Sequence, residues 1–89
     1  MKIKFTKSFK KQYQKAPSKI QKIFDRKITL FIKNRYNPLL RNHALSGKLR
    51  GYKSINITGD WRAIFIENKR NKKVVAIFVL LGTHSKLYK

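Results

Sequence analysis

The residues best suited to chemistry lie together in the second half of the chain, between His43 and Tyr88. Three short motifs fill this window: His43-Ala-Leu-Ser-Gly-Lys-Leu-Arg-Gly-Tyr52, Gly59-Asp-Trp-Arg62 and Gly82-Thr-His-Ser-Lys-Leu-Tyr88. They contain both histidines of the chain, its only tryptophan and one of its three acidic residues. Histidine, aspartate and arginine in these motifs could transfer protons and bind an anion, which is the chemistry of an acid–base site.

Cleavage of RNA without a metal ion needs such a set of groups. A base must deprotonate the ribose 2′-hydroxyl, an acid must protonate the leaving 5′-oxygen, and a cation must stabilise the transition state. Histidine suits both proton roles because its unperturbed pKa is about 6.5. The window supplies His43, His84, Asp60, Arg62 and the phenol of Tyr88. The three motifs together therefore indicate a small RNA-cutting protein, although each motif alone is weak.

The charge of the chain favours an anionic partner. It carries 23 lysines and arginines against 3 acidic residues, a formal charge of +20. Such a field opposes compaction through self-repulsion, so we interpret it as serving a partner. Nucleic acid is the default interpretation, with an acidic protein or an anionic membrane as alternatives. Solubility and the lysine-rich drift of an AT-rich genome are alternative explanations for part of the charge, but we favour contact with nucleic acid.

Composition excludes several other classes of protein. Cysteine is absent, which excludes a disulfide framework, a thiolate metal site and a cysteine nucleophile. The N-terminal residues lead straight into charged sequence, so we expect no secretory signal. The longest apolar run, residues 74–81, is too short to span a bilayer. These features predict a cytoplasmic protein with a single domain over residues 1–89.

The first half of the chain predicts one strand and two helices. Residues 2–5 alternate polar and apolar side chains and predict a strand. Thr6 can cap a helix over residues 7–15, and a second helix follows from Pro17 or Ser18 to about residue 35. The lysine-rich face of the second helix is interpreted as a solvated surface rather than an RNA contact. Residues 34–42 predict a loop.

The second half predicts three strands. Residues 52–57 alternate, and a tight turn at Thr58-Gly59 leads into a strand over residues 60–67. A charged turn over residues 68–73 precedes the apolar residues 74–81, interpreted as a central strand covered on both faces. The tail, residues 83–89, must then lie at one end of the sheet.

This order, β-α-α-β-β-β, predicts an α+β fold with a helical hairpin on a mostly antiparallel four-stranded sheet. Along residues 60–67 the side chains of Trp61, Ala63 and Phe65 share one face, whereas Arg62 and its alternate neighbours share the other. Alternation alone leaves open which of these two faces is buried.

The order, length and motifs resemble the RelE/ParE superfamily of bacterial type II toxins, particularly its YafQ-like branch of mRNA interferases. The resemblance covers essentially the whole chain and rests on residues 43–52, 59–65 and 81–88. It implies a toxin that acts as a ribosome-dependent endoribonuclease and cuts translated mRNA in the A site. It also implies catalysis without metal or cofactor, and neutralisation by a cognate antitoxin.

The resemblance implies roles for individual residues. His43 and His84 match the histidines that YafQ-like toxins use around the scissile phosphate, and Asp60 matches their acidic residue. Arg62 falls where RelE-like toxins place a phosphate-binding arginine. His84 occupies the position where RelE carries a further arginine. Tyr88 matches the C-terminal aromatic residue, which is tyrosine in RelE and phenylalanine in YafQ.

One position departs from the YafQ-like pattern. Those toxins usually carry another histidine in the strand before the Asp-Trp pair, where this chain has Asn56. An asparagine amide does not exchange protons near neutral pH, so one member of the acid–base set is missing or replaced.

Combining the resemblance with the chemistry gives a full assignment. We assign His84 as general acid or base and Arg62 as the ligand of two phosphate oxygens. Asp60 serves as the base or orients a histidine, and His43 is a second proton carrier or a positioning group. Tyr88 stacks on a base or hydrogen-bonds the phosphate. Four cations are predicted to contact RNA: Lys48, Arg50, Lys53 and Lys86.

Structural alternatives stay open for several of these residues. His43 could be an ordinary surface residue, Asp60 could simply close the hairpin turn, and Trp61 could be a core residue. The spacing of the two histidines and Asp60 matches no local pattern of zinc ligands, so no metal site is predicted.

Two other functions compete with the nuclease. A ParE-like inhibitor of DNA gyrase would be a binding protein, but gyrase inhibition needs no proton carriers. A plain basic protein that binds RNA or the ribosome is the other alternative. The toxin hypothesis predicts an antitoxin partner that is acidic and encoded by an adjacent gene, besides mRNA and the ribosome, and no membrane partner.

Overall fold

The computed structural model describes residues 1–88, so Lys89, the last residue of the predicted tail, lies outside the described residues. The helices and strands are β1 Lys2–Phe5, α1 Lys7–Lys15, α2 Ser18–Lys33, β2 His43–Ala44, β3 Lys53–Asn56, β4 Trp61–Arg70, β5 Lys73–Thr83 and α3 His84–Leu87. The strands form one sheet in the order β1-β5-β4-β3-β2. Within residues 1–88, no helix is both long and apolar enough to cross a membrane.

Local signals determine where the two long helices begin and end. Thr6 caps α1 as predicted, because its Oγ1 accepts a hydrogen bond from the Phe9 N–H at 3.2 Å. Ala16 precedes a proline, and its extended backbone (φ −71°, ψ 149°) ends α1. Helix α2 begins at Ser18 and ends at Lys33, two residues before the predicted end, because Asn34 leaves the helical region at φ −160°.

An aromatic core joins both helices to one face of the sheet. Phe78 on β5 is fully buried, and its ring centroid lies 5.0 to 6.1 Å from those of five other phenylalanines. These partners come from both helices and from β1 and β4: Phe5, Phe9, Phe24, Phe31 and Phe65. Ala63 and Phe65 belong to this core and Trp61 packs against it, so the face of β4 that carries Arg62 points away from the helices.

The sheet differs from the prediction of four mostly antiparallel strands. A fifth strand, β2, pairs His43 with Ser54 and Ala44 with Lys53. It has only two residues, which is too few to show an alternating pattern. Strand β1 lies parallel to β5, with Lys2 opposite Val75, so the sheet is mixed.

Strand β5 was wrongly predicted to be central and covered on both faces. It lies between β1 and β4, and the central position belongs to β4. Ala76 and Phe78 are buried toward the helices, but Val75 and Ile77 on the other face are only half-buried. A continuous apolar run is thus compatible with a strand that has one covered face.

The hairpin between β4 and β5 is longer and tighter than predicted. Both strands extend into the charged residues, and only Asn71 and Lys72 lie between them. These two residues have positive φ angles of 49° and 66°, the combination of a type I′ turn, which fits the twist of paired strands. Exposed charges at the ends of the strands therefore resemble a long loop in the sequence.

Candidate active site

A cleft of about 630 Å³ opens on the face of the sheet that the long helices leave uncovered. Four of the five predicted catalytic residues line it: His43, Arg62, His84 and Tyr88. Asn56, which stands where the resemblance implies a histidine, lines it as well. The remaining lining comes from residues 41–46, which follow a 3₁₀ turn at Pro38–Leu40.

Strand register explains why these side chains meet. Asn56 lies opposite Arg62 between β3 and β4, and Arg62 lies opposite Gly82 between β4 and β5. His43 lies opposite Ser54 between β2 and β3. Directly opposed residues point to the same face of a sheet, so this row faces away from the aromatic core. Three separate stretches of sequence thereby supply one surface.

Helix α3 folds back over the end of β5 and brings the last two site residues to the cleft. The His84 N–H donates to the Asp60 carbonyl at 2.8 Å, which fixes the start of α3 against the β3–β4 turn. Leu87 packs so closely on Gly82 that a Cβ there would lie 3.2 Å from the leucine side chain. His84 and Tyr88 are four residues apart, and their ring centroids lie 4.6 Å apart at an interplanar angle of 59°.

The backbone of Arg41 determines which nitrogen of His43 can exchange a proton. His43 Nδ1 lies 2.7 Å from the Arg41 carbonyl oxygen. A carbonyl only accepts hydrogen bonds, so Nδ1 carries a proton and Nε2 is the exchanging nitrogen. Arg41 adopts the left-handed conformation (φ 49°, ψ 47°), which disfavours a non-glycine residue by about 1–2 kcal/mol. This conformation turns the chain from the 3₁₀ turn into the cleft.

Arg62 holds the β3–β4 turn with one nitrogen. Its Nη1 donates to the carbonyls of Thr58 at 2.9 Å and Gly59 at 2.8 Å. Within residues 1–88, its Nε and Nη2 donate to no protein acceptor, so these donors are available to an anion in the cleft. The guanidinium is thus positioned by the turn while part of its hydrogen-bonding capacity remains.

Asp60 is the one predicted catalytic residue that does not line the cleft. It is exposed in the β3–β4 turn, where its N–H donates to Thr58 Oγ1 at 3.3 Å. Its carbonyl, rather than its carboxylate, contacts the site by accepting the His84 N–H. This placement fits the alternative that Asp60 closes the hairpin turn. In the described part of the chain, no group of three or more His, Asp or Glu residues could hold a metal ion.

The predicted RNA-contacting cations occupy two different surroundings. Lys48 and Arg50 are exposed at a 3₁₀ turn, Gly47–Leu49, just beyond the cleft-lining residues, and Lys86 is exposed on α3. The structure does not bring Lys53 to the cleft, because alternation along β3 places it on the opposite face from Ser54. The Lys53 ammonium instead pairs with the largely buried Glu67 carboxylate.

Glu67 binds a second cation as well. Arg35 Nε lies 2.8 Å from Glu67 Oε2, as an ion pair without the alignment of a hydrogen bond. The Glu67 side chain is only 13% exposed, so the two cations neutralise a carboxylate that water barely reaches. The local sequence does not reveal this ion pair, because Glu67 and Lys53 belong to different strands that meet only in the folded sheet.

Sequence reasoning missed two residues of the site. Arg41 lines the cleft and orients His43, but it gave no separate signal among so many cations. Ser54 is fully buried, and its Oγ accepts a hydrogen bond from the Tyr88 hydroxyl at 3.1 Å. The only available signal for Ser54 was its alternation with Ile55, which places it on the same face as Asn56.

Comparison with known proteins identifies the family of the chain. The family model described as the bacterial toxin of type II toxin-antitoxin system, YafQ, matches residues 1–89. None of the curated protein sequences matches the chain.

Solved structures of toxins share the fold. The crystal structure of YafQ from E. coli strain BL21(DE3) superposes with a TM-score of 0.78 at 22% identity, covering 98% of this chain and 97% of that chain. The YoeB/ParE toxin from Agrobacterium tumefaciens superposes with a TM-score of 0.75 at 20% identity, covering 94% of this chain and 99% of that chain. A chain of the E. coli DinJ-YafQ toxin-antitoxin complex superposes with a TM-score of 0.74 at 23% identity, covering 98% of this chain and 96% of that chain. The predicted resemblance is therefore confirmed, and the chain belongs to the YafQ family of bacterial type II toxin-antitoxin toxins.

Proposed function

We propose that this toxin is a ribosome-dependent endoribonuclease that cuts translated mRNA, with the cleft as its active site. One observation carries the proposal: two histidines and an arginine from separate stretches of the chain line the same cleft. Two proton carriers and a cation are the minimum that metal-independent cleavage of a phosphodiester requires. The formal charge of +20 supports a polyanionic substrate.

In the proposed reaction the two histidines share the proton transfers. His43 exchanges its proton through Nε2, because Nδ1 is engaged by the Arg41 carbonyl. One neutral histidine removes the proton of the ribose 2′-hydroxyl, whose oxygen attacks the phosphorus. The other, protonated, histidine donates to the leaving 5′-oxygen. We assign the other proton transfer, as acid or base, to His84, which lies at the start of α3.

Arg62 and Tyr88 complete the proposed site. The guanidinium donors that the β3–β4 turn leaves unused would bind phosphate oxygens and stabilise the charge that develops on them. Tyr88 contributes its hydroxyl or ring to the same nucleotide. We assign Asp60 a positioning role, because its backbone, and not its carboxylate, contacts the site.

The experiment that tests the proposal is induction of the toxin in a bacterial host with mapping of mRNA 5′ ends. We expect growth arrest accompanied by cuts in the reading frame of translated messages. Arg62→Ala should lower the cleavage rate by about 10²–10³-fold, because it removes a cation from the transition state. Arg62→Lys keeps the charge but loses the planar pair of donors, so its cleavage rate should lie between those of wild type and Arg62→Ala.

Thermal unfolding of both variants controls for the turn that Arg62 holds. Cleavage by folded Arg62→Ala at the wild-type rate would remove Arg62 from the mechanism. Growth arrest without mRNA cuts would exclude the nuclease and point to gyrase, or another target that the toxin only binds.

Asn56 offers a second test, because it replaces a histidine of the YafQ-like pattern while lining the cleft. We expect Asn56→His to raise the cleavage rate about tenfold, since it adds a group that can exchange protons near neutral pH. Asn56→Gln is the matched control, because it adds length and keeps the amide. Equal rates for the two variants, measured on translating ribosomes in vitro, would mean that proton exchange at this position does not limit cleavage.

We propose a cognate antitoxin as the macromolecular partner that silences this activity. The DinJ-YafQ complexes contain such a partner for the E. coli toxin. For a toxin of charge +20, the complementary partner is acidic, and it is expected from a gene adjacent to this one. Because phosphate contacts release counterions, binding of the toxin to ribosomes or RNA should weaken steeply as salt rises.

A further inference from the structure

Ser54 on β3 is a polar residue whose side chain is shielded from solvent. It is fully buried, and it is the one buried polar side chain in the described part of the chain. Its register neighbours are His43 on β2 and Ile64 on β4, and Ile64 is fully buried as well. Ser54 does not line the cleft, so RNA in the cleft cannot reach its hydroxyl.

The hydroxyl of Ser54 has one partner among the described residues, the Tyr88 hydroxyl at 3.1 Å. Tyr88 follows α3, a helix of four residues whose own backbone bonds are few. The Tyr88 N–H donates to the His84 carbonyl at 3.1 Å, which fixes the backbone but leaves the side chain its staggered rotamers. The hydrogen bond to Ser54 selects one of them and holds the tyrosine ring against His84.

We propose that Ser54 is a positioning residue for Tyr88, and through the ring contact for His84, in the RNA cleavage proposed above. This inference rests on that proposed function for its kinetic consequences. A hydroxyl can donate one hydrogen bond and accept two, so the Ser54–Tyr88 pair can reverse its direction without moving a heavy atom. In the free protein the Ser54 hydroxyl accepts a hydrogen bond from the Tyr88 hydroxyl. If RNA binds, the reversed pair would let Ser54 donate to the Tyr88 oxygen, and the phenol O–H would then donate to a phosphate oxygen.

The kinetic test is a double-mutant cycle between Ser54→Ala and Tyr88→Phe on translating ribosomes. We expect Ser54→Ala to lower kcat by about three- to tenfold, the effect of losing one neutral hydrogen bond, with KM almost unchanged. In the Tyr88→Phe background the same serine change should have no further effect. Ser54→Cys, which keeps the size and a weak acceptor, should recover part of the loss and replaces the alanine variant if that one does not fold. Ser8→Ala, at an exposed serine of α1, should leave kcat unchanged.

A spectroscopic readout tests the contact independently of any nuclease activity. In protein labelled with ¹³C at tyrosine Cζ, Ser54→Ala should shift the Tyr88 signal. The Tyr13 signal should stay in place, because the Tyr13 hydroxyl donates to Asp25 at 2.8 Å in another part of the fold.

Each outcome is decisive. An unchanged Tyr88 signal would overturn the inference whether or not the toxin cuts mRNA. A shifted signal with wild-type kcat, or equal losses from the serine change in both backgrounds, would overturn the positioning role. If wild-type toxin cuts no mRNA, the proposed function fails, and the serine's role in cleavage fails with it while the contact is still measured.

Discussion

Replacing His84 with alanine is expected to slow mRNA cleavage by about 10²–10⁴-fold, the contribution of a general acid or base. Only His43 would then remain as a histidine in the cleft. The fold should survive, because the His84 side chain is exposed and its backbone N–H still binds the Asp60 carbonyl. The effect should therefore appear in the cleavage rate and not in the thermal unfolding temperature.

The measurement for His84 is the single-turnover cleavage rate on ribosomes stalled with an mRNA codon in the A site. His84→Gln is the matched control, since it keeps a polar side chain of similar length but cannot act as an acid or a base. We expect both variants to be equally slow and both to bind ribosomes as tightly as wild type. A rate within threefold of wild type for either folded variant would exclude His84 from proton transfer.

Replacing Phe78 with alanine should destabilise the folded toxin by about 3–5 kcal/mol, the usual range for a buried phenylalanine. Its ring contacts five other aromatic rings, from both helices and two strands, so neighbouring elements cannot all relax into the cavity. A loss of this size is a large part of the 5–15 kcal/mol that stabilises an ordinary domain. We expect growth inhibition to disappear because little folded toxin remains.

Ile77→Ala on the same strand is the control for Phe78, because Ile77 is half-buried on the opposite face of the sheet. Urea unfolding curves of the purified proteins should show a clearly smaller decrease in the free energy of unfolding for Ile77→Ala than for Phe78→Ala. Similar losses for the two variants would mean that the aromatic cluster is not the main source of stability.

The two long helices, α1 and α2, could be predicted from the sequence because their signals are local, whereas the short α3 was not predicted. Thr6, Pro17 and the helical spacing of apolar residues act within a few positions of the boundary they determine. The parallel pairing of β1 with β5 could not be predicted this way. It joins Lys2 to Val75, and no pattern within either strand specifies that partner.

The site shows the same division between residue type and position. His43, Arg62, His84 and Tyr88 were identified by their chemistry within the motifs, and the structure places them around one cleft. Asp60 was identified on the same chemical grounds, yet it lies in the β3–β4 turn and contacts His84 through its backbone carbonyl.

Lys53 shows the limit in another way. Its side of the sheet depends on the register of β3, and its partner Glu67 depends on the pairing with β4. Both are properties of the folded sheet, which the charge of a single lysine does not reveal.

The position of β5 between β1 and β4 has a consequence for how the toxin is made. Synthesis proceeds from the N-terminus, so the first strand must wait for a partner that is translated about seventy residues later, and such non-local pairing is slow. Until β5 emerges from the ribosome, Phe78 is absent from the core, and the segment carrying His84 and Tyr88 cannot fold over the end of β5. The cleft in which we propose the nuclease site is consequently completed only in a late folding step, after β5 has paired with β1.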